Sequence, residues 1–228
     1  MEWLATPCTF PPDSGPWTVA IGSFDGLHLG HQALLQRALA PPYSKGRLLL
    51  LSFHPHPRNL LSPQSVPLIT PLPHRTALAK ERGVHTIWAY PFSQETAQLS
   101  PSAFLDTALG SLSLTGLCVG WNFAFGNERL GNTDLLASWC ASRLIPFLSF
   151  PPIKEGTQVI TSSRIRRHLA QGDLKIVHRL LGRHFAIRGK VEKGAGRGKE
   201  LGFPTINISL DPQQALPPSG VYKGRVLG

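Results

Sequence analysis

The sequence is poor in cysteine, has a single methionine and contains no long apolar run. Its three cysteines, Cys8, Cys118 and Cys140, are far apart and form no CxxC pair, which favours neither a disulfide framework nor a thiolate zinc site. No apolar run reaches the roughly 18 residues that a membrane span requires. The N-terminal segment MEWLATPCTFPPDSG lacks the basic and apolar regions of a secretory signal. We therefore expect a cytoplasmic protein with no membrane partner.

Acidic residues are also scarce. The chain of 228 residues has 13 aspartates and glutamates against 23 lysines and arginines, a net charge of +10. Such a charge attracts polyanions, among them nucleic acids and nucleotides. The basic residues are scattered up to about Arg164, and no basic block with interleaved aromatics occurs, so we expect small phosphorylated molecules rather than nucleic acid as partners. The sequence carries no signal of oligomeric state.

Short apolar runs alternate with segments of helical pattern over residues ~15–150. Runs that are apolar on both faces are typical of strands buried in a parallel sheet. Their alternation with helices predicts an α/β fold with a doubly wound parallel sheet. Two short helices broken at Gly172 are expected to follow. The five runs are WTVAIGSF, GRLLLLSF, VHTIWAY, GLCVGW and LIPFLSF.

The pattern changes after about Leu181. Residues of β type then alternate with glycine and lysine turns, which predicts an antiparallel β domain beginning near Gly182. The final SGVYKGRVLG looks like a strand with no later partner. Residues 182–228 are few for an independent barrel, so we expect an incomplete one.

The stretch VAIGSFDGLHLGHQALLQRA joins the first predicted strand to the first predicted helix. In open α/β sheets, ligands bind beyond the carboxyl ends of the strands, and a helix N-terminus attracts anions. Gly22 and Gly26 permit a tight turn and close approach of a ligand. His28 and His31 lie three apart around the first helical turn, where two imidazole N–H groups are able to stabilise a displacement at phosphorus.

Plainer interpretations of the two histidines exist. Surface histidines on a helix give the same pattern, and a metal pair would lack a third ligand at suitable spacing. The stretch is not a P-loop, because no GK[ST] follows. Asp25 and three glycines, Gly22, Gly26 and Gly30, in the same turn favour a nucleotide site.

A second motif, ITSSRIRR, places hydroxyl residues at a predicted helix start. Thr161, Ser162 and Ser163 are suited to capping the helix and binding phosphate, and Arg164 to pairing with that phosphate. A plain capped basic helix is the alternative. Together with the upstream histidine turn, the motif becomes a much more specific signal of a phosphate site.

GSFDGLHLGH and ITSSRIR resemble the two signatures of the nucleotidyltransferase superfamily that carries a His-x-x-His motif. LSFHPHP, VGWNFAFGNERLGN and GRGKELGFPTIN narrow the resemblance to the bacterial bifunctional riboflavin kinase/FAD synthetase family, from about Trp17 to Tyr222. The resemblance implies a Rossmann-like FMN adenylyltransferase domain over residues 1–181. An incomplete riboflavin kinase β-barrel domain would occupy residues 182–228.

The implied reaction joins FMN to AMP from ATP, giving FAD and pyrophosphate with Mg²⁺ as cofactor. By the resemblance, His28 and His31 bind the ATP phosphates and stabilise the transition state. The other implied ATP contacts are Gly22, Ser23, Phe24, Asp25, Gly30, Ser162, Ser163 and Arg164, and the implied FMN contacts are Asn122, Phe123 and Phe125.

In the kinase region, Thr205 and Asn207 of FPTIN would lie two apart on one side of a strand and suit Mg²⁺ and ATP phosphate oxygens. A glycine turn at Gly194, Gly196 and Gly198 would approach the phosphates. An edge strand beginning with proline is the plain alternative. The family's later strands and catalytic carboxylate have no counterpart here, so we expect weak or no riboflavin phosphorylation. His54 and Ser23 differ from the family's usual residues.

Three rival functions remain. Another adenylyltransferase of the superfamily would share both motifs, although the FPTIN region argues against it. A class I tRNA synthetase would need a Lys-Met-Ser-Lys loop, and Met1 is the single methionine. A non-catalytic nucleotide- or flavin-binding protein stays open.

Overall fold

A computed structural model describes residues 15–63, 65–194 and 205–226. Its largest element is a five-stranded sheet with the order β3-β2-β1-β4-β5, in which every neighbouring pair is parallel. The predicted doubly wound parallel sheet is confirmed. The strands are β1 (Trp17–Gly22), β2 (Arg47–His54), β3 (Thr86–Pro91), β4 (Leu114–Gly120) and β5 (Phe147–Phe150).

Helices connect the strands and follow the sheet. Those between strands are α1 (Leu29–Ala38), α2 (Pro57–Leu61), α3 (Leu72–Glu81), α4 (Gln94–Gln98), α5 (Pro101–Leu109) and α6 (Thr133–Ala141), with a 3₁₀ turn at Asn127–Arg129. After the sheet come a small ribbon of β6 (Lys154–Glu155) and β7 (Gln158–Val159), then α7 (Ser162–Ala170) and α8 (Leu174–Leu181). Among the described residues, no helix is long and apolar enough to cross a membrane.

Local capping chemistry sets several helix ends. The side chains of Ser100, Asn132 and Thr161 accept backbone N–H groups at the starts of α5, α6 and α7. Gly182 adopts a left-handed conformation, φ 66°, and ends α8. The first helix begins at Leu29, with His28 as its N-cap.

The sheet has apolar side chains on both faces, because successive residues of a strand point to opposite sides. Val19 and Ile21 belong to a core cluster that includes Phe104 and Leu136 of α5 and α6. Ala20 belongs to the opposite cluster, with residues of α1 and α3. Both faces are thus covered, which leaves the carboxyl edge of the sheet for ligands.

The C-terminal region begins after Gly182 and contains a two-stranded antiparallel sheet of β8 (Gly189–Glu192) and β9 (Asn207–Leu210). The antiparallel pairing of this sheet agrees with the prediction from the sequence. The barrel and the domain division at residues 181/182 stay predictions. The strand expected in SGVYKGRVLG is wrong for the described part, since residues 221–226 form no strand. Val221 and Val226 are exposed there.

Candidate active site

The switch point of the sheet lies between β1 and β4. From these two neighbours the strand order runs in opposite directions, to β2 and β3 on one side and to β5 on the other. In such sheets the crevice at the carboxyl ends of the two central strands receives the ligand. The turn Ser23–His28 leaves β1 at this point, and the segment 121–132 leaves β4, so the topology places the histidine turn and the segment with the predicted flavin contacts at the crevice.

The turn Ser23–His28 has an unusual backbone. Besides Gly26, at φ 84°, the residues Phe24 and Leu27 have positive φ values of 49° and 39°. Such conformations are costly for residues with side chains and persist where neighbouring structure enforces them. A Cβ on Gly26 would also approach Ile69 to 3.0 Å, so glycine is required here on two counts.

The surrounding elements enforce that backbone by binding every carbonyl of the turn. The donors come from α1, α3, α7, the end of β2, the segment after α8 and the turn itself. Ser23 O accepts from Arg75 (2.8 Å) and Ser52 (3.1 Å), Phe24 O from the Leu27 amide (3.1 Å), Asp25 O from Ser162 Oγ (2.8 Å), Gly26 O from Arg183 (2.7 Å), Leu27 O from Gln32 Nε2 (2.8 Å) and His28 O from the Gln32 amide (2.9 Å).

Asp25 is the buried ionic centre of this turn. Its carboxylate accepts from Arg166 Nη2 at 2.6 Å and from the amides of Ile69 and Thr70 at 3.1 and 2.9 Å, and Arg75 lies 3.8 Å away. Burial alone would raise the pKa of Asp25, but the two arginines and the two amides outweigh it, so the pKa is lowered and the group is ionised. The side chain therefore shapes the turn from inside.

His28 and His31 form a stacked pair at the start of α1. Their ring centroids are 3.7 Å apart and the ring planes differ by 16°. His28 is the N-cap, and its Nδ1 faces the His31 amide at 3.4 Å. A Cβ at Gly30 would lie 3.1 Å from the His28 ring, so glycine leaves the space in which that ring folds over the first turn.

Both imidazoles are neutral at physiological pH. Burial lowers the pKa of His28 to about 4, with Asp25 opposing the shift and Arg183 adding to it. Burial also lowers the pKa of His31 well below its usual range, and His28, Arg75 and Arg183 act in the same direction. The Nδ1 atom of His31 is buried and has no hydrogen-bond partner within the described ranges. The pair therefore offers N–H donors to an anion while carrying no charge itself.

The N-terminus of α7 faces the same turn. Ser162 donates to Asp25 O, and Ser163 Oγ lies 3.4 Å from an Arg58 nitrogen of α2. Arg164, the predicted phosphate ligand, pairs with Glu155 at 2.6 Å. Arg166 instead reaches Asp25. Thus α7 is fixed against the turn through Ser162 and Arg166.

The predicted flavin contacts follow β4. Asn122 is exposed and its Oδ1 lies over Gly120. The rings of Phe123 and Phe125 are stacked at 5.7 Å, but Phe125 belongs to the core cluster of α5, which leaves Phe123 with the more accessible ring. Within the described chain, no hydrogen bond or ring contact joins this segment to the histidine pair.

The predicted kinase residues lie apart from these elements in the chain. Thr205 and Asn207 are both exposed, and Thr205 precedes β9 rather than lying on it. A Cβ at Gly194 would overlap the side-chain nitrogen of Asn207, so the glycine permits close contact with β9. Gly196 and Gly198 lie outside the described residues.

Sequence reasoning did not identify the residues that hold the turn, namely Gln32, Arg75, Arg166 and Arg183. Gly26 and Arg183 are 157 residues apart in the chain. No local pattern marks such a pair. The RIRR run of the second motif did contain Arg166, but local sequence does not say which arginine faces the turn.

An open parallel sheet with a preformed histidine turn at its switch point defines a Rossmann-like protein of the nucleotidyltransferase type. A family model described as FAD synthetase matches residues 11–164, and one described as riboflavin kinase matches residues 181–228. The chain belongs to the FAD synthetase family, as the sequence motifs predicted.

Individual relatives agree with this assignment. The bifunctional riboflavin kinase/FMN adenylyltransferase of Bacillus subtilis is 34% identical over 211 residues, which are 90% of this chain and 65% of that protein. The protein of the same name from Listeria monocytogenes is 32% identical, over 96% of this chain and 72% of its own. A crystal structure described as a macrolide-efflux protein from Streptococcus pneumoniae superposes with a TM-score of 0.78 at 27% identity, covering 90% of this chain and 68% of that one.

Proposed function

We propose that this chain transfers the adenylyl group of ATP to FMN. An oxygen of the FMN phosphate attacks the α-phosphorus of ATP. The bond from that phosphorus to the β-phosphate oxygen breaks, and FAD and pyrophosphate result. The FMN phosphate is itself the nucleophile, so the protein needs to supply neither a nucleophile nor a strong base. Positioning and charge stabilisation carry the rate.

The stacked pair of His28 and His31 is the observation that carries this proposal. Two neutral imidazoles at the N-terminus of α1, beside a turn with a fixed backbone, offer N–H donors where a triphosphate would lie. Donors fixed before the reaction stabilise charge as it develops on the phosphate oxygens, without reorganisation. A bound triphosphate would also raise both pKa values, since its negative charge favours the imidazolium forms.

The second wall of the proposed phosphate site is the N-terminus of α7. Ser163 and the first amides of the helix would face the triphosphate from the side opposite the histidines. For Arg164 to reach a phosphate, it must exchange Glu155 for that ligand. Such an exchange leaves no carboxylate unpaired, because Arg179 also binds Glu155, at 2.9 Å.

On the acceptor side, we propose that Asn122 binds a phosphate and Phe123 the flavin ring. Both belong to the segment that leaves β4 at the switch point, next to the strand that carries the histidine turn. Phe123 is only partly buried and stacks on Phe125, so the pair offers a ring surface backed by the core. Phe125 supports that surface from beneath.

Magnesium fits this site as a companion of the nucleotide. In the part of the chain that the structure describes, no group of three or more His, Cys, Asp or Glu side chains is arranged to hold a metal. At the histidine turn Asp25 is engaged with two arginines, so no carboxylate of the turn is free for a metal. This donor set suits Mg²⁺ held mainly by phosphates and water. When bound, Mg²⁺ would neutralise charge on the phosphates.

The test is a product assay with the purified chain, Mg²⁺ and ATP labelled at the α-phosphate, with either FMN or riboflavin as acceptor. We expect labelled FAD from FMN, with pyrophosphate in equal amount. Binding of FMN and ATP without turnover would instead favour the non-catalytic alternative. Absence of both binding and FAD would reject adenylyl transfer to FMN.

Riboflavin phosphorylation is a second candidate, favoured by the riboflavin kinase match over residues 181–228. It would use the exposed Thr205 and Asn207 beside Gly194. The riboflavin arm of the same assay decides it, because FMN made from riboflavin and ATP identifies the kinase whatever happens to FAD.

A further inference from the structure

After β9, the chain returns to the N-terminal region. The Leu68 amide donates to Gln213 O at 2.6 Å, and the Ala215 amide donates to Leu68 O at 2.7 Å. These bonds form a parallel bridge between Leu68 and Gln214. Ala215 is buried in the apolar cluster that contains Ile69 and residues of α7 and α8. We call Gln213–Ala215 the docking segment.

The Gln214 side chain makes this contact specific. It is 7% exposed, and its Nε2 lies 3.3, 3.2 and 3.0 Å from the carbonyl oxygens of Leu68, Ile69 and Ala215. Because three carbonyl oxygens face this atom, it must be the NH₂ nitrogen of the side-chain amide rather than its oxygen. Replacing that donor leaves buried carbonyl oxygens without a hydrogen-bond donor. The loss of stability is then larger than for the loss of a hydrogen bond at an exposed position.

The stretch Leu68–Thr70 faces the docking segment on one side and the histidine turn on the other. The amides of Ile69 and Thr70 donate to Asp25, and the Gly26 amide donates to Thr70 Oγ1 at 2.8 Å. Movement at Leu68 or Ile69 would therefore shift the groups that keep Asp25 and the turn in place. No other described segment of the C-terminal region hydrogen-bonds to this stretch.

We propose that Gln214 is a positioning residue for the adenylyl site. It acts through Leu68–Thr70 and Asp25 on the turn that carries His28 and His31. The assignment rests on the proposed function for its kinetic consequence. The structural claim, that the docking segment holds the turn in place, does not depend on which molecule accepts the adenylyl group.

The variant Gln214→Glu tests this, because it keeps the shape and replaces the donor with an acceptor. Gln213→Glu is the matched control, since it makes the same charge change at the exposed neighbouring side chain. In Gln214→Glu we expect faster hydrogen exchange at the amides of Gly26, Ile69 and Thr70. The KM for ATP should rise by about fivefold or more, a usual size for coupling between sites, with a smaller change in kcat. Gln213→Glu should match the parent in each measurement.

Equal exchange rates and equal KM values in the two variants would overturn the proposal. So would a lower kcat at unchanged KM, which indicates only a smaller folded fraction. If the parent makes no FAD, the proposed function fails by itself, and calorimetric ATP affinity together with exchange still decides the role of Gln214. If Gln214→Glu does not fold, Gln214→Met compared with Gln213→Met supplies the same comparison without charge.

Discussion

The histidine turn and the β8–β9 sheet both carry sequence motifs of the family, but their surroundings differ. Every carbonyl of the turn is bound and its Asp25 is buried among two arginines. The four residues of β8 are all exposed, and so are the first three of β9. A motif thus becomes a preformed site only where packed elements fix its backbone from several directions.

The energetic consequence is that substitutions should be costly around the turn and tolerated in the β8–β9 sheet. Around the turn, surrounding side chains such as Arg75, Ser162 and Arg183 satisfy its backbone carbonyls, so removing one of them leaves a carbonyl without its partner. In the sheet, solvent replaces whatever a substitution removes. The predictions below begin with the largest expected difference between the two regions.

Asp25→Asn should destabilise the protein by about 3–5 kcal/mol, because it removes the carboxylate and leaves Arg75 and Arg166 without their buried partner. Asp106→Asn makes the same change at an exposed position of α5 and should have little effect. Urea unfolding followed by circular dichroism measures both. Equal stabilities of the two variants would contradict the role of Asp25 as the ionic centre of the turn.

His28→Ala should lower kcat/KM for FAD formation by about 10²- to 10³-fold, because it removes a donor aimed at charge in the transition state. The fold should be retained, although the loss of the helix cap should cost about 1 kcal/mol of stability. His178→Ala, at an exposed position of α8, is the matched control and should leave the rate unchanged. Steady-state assays with FMN and ATP measure the difference. A His28→Ala enzyme as active as the control would remove this residue from the mechanism.

Gly30→Ala should separate activity from stability. The added Cβ would lie 3.1–3.2 Å from the His28 ring and displace it, which we expect to lower kcat/KM roughly tenfold. Alanine favours a helix over glycine by up to about 1 kcal/mol, which offsets the cost of moving the ring, so the unfolding midpoint should change little. Gly224→Ala, with no atom within 4 Å of its Cβ, is the control. Unchanged kinetics in Gly30→Ala would show that the ring position is not required.

Stability should fall as the pH is lowered from about 6.5 to about 4. Burial lowers the pKa values of His28, His56 and His74 to about 4, from the usual histidine value of 6.5. In this window the unfolded chain binds protons that the native protein does not, so the free energy of unfolding decreases. Thermal unfolding across this range measures the slope. His56→Asn keeps a capping side chain for α2 and should flatten the slope; an identical slope would contradict the shift at His56.

Much of this fold could be predicted because its signals are local. The five strands are short apolar runs, and the segments of helical pattern between them form the connecting helices. The proximity of His28 and His31 also followed from helical spacing. The arginines of the turn could not be predicted, because their partners are far away in the chain. Arg164 and Arg166 share one helix, and only the packing of α7 shows that Arg166 faces Asp25 while Arg164 faces Glu155.

The smallest expected effect on stability is at Val191 of the exposed β8. Paired with a substitution at Val19 of β1, it directly tests the difference between the packed region and the β8–β9 sheet. Val19 is 0% exposed and Val191 is 73% exposed. Val19→Thr buries a hydroxyl and should cost about 1–3 kcal/mol, whereas Val191→Thr should stay within about 0.5 kcal/mol of the parent. Urea unfolding of the two variants measures this. A cost at Val191 equal to that at Val19 would mean that β8 is covered in solution, so the contrast between a packed turn and an open sheet would fail.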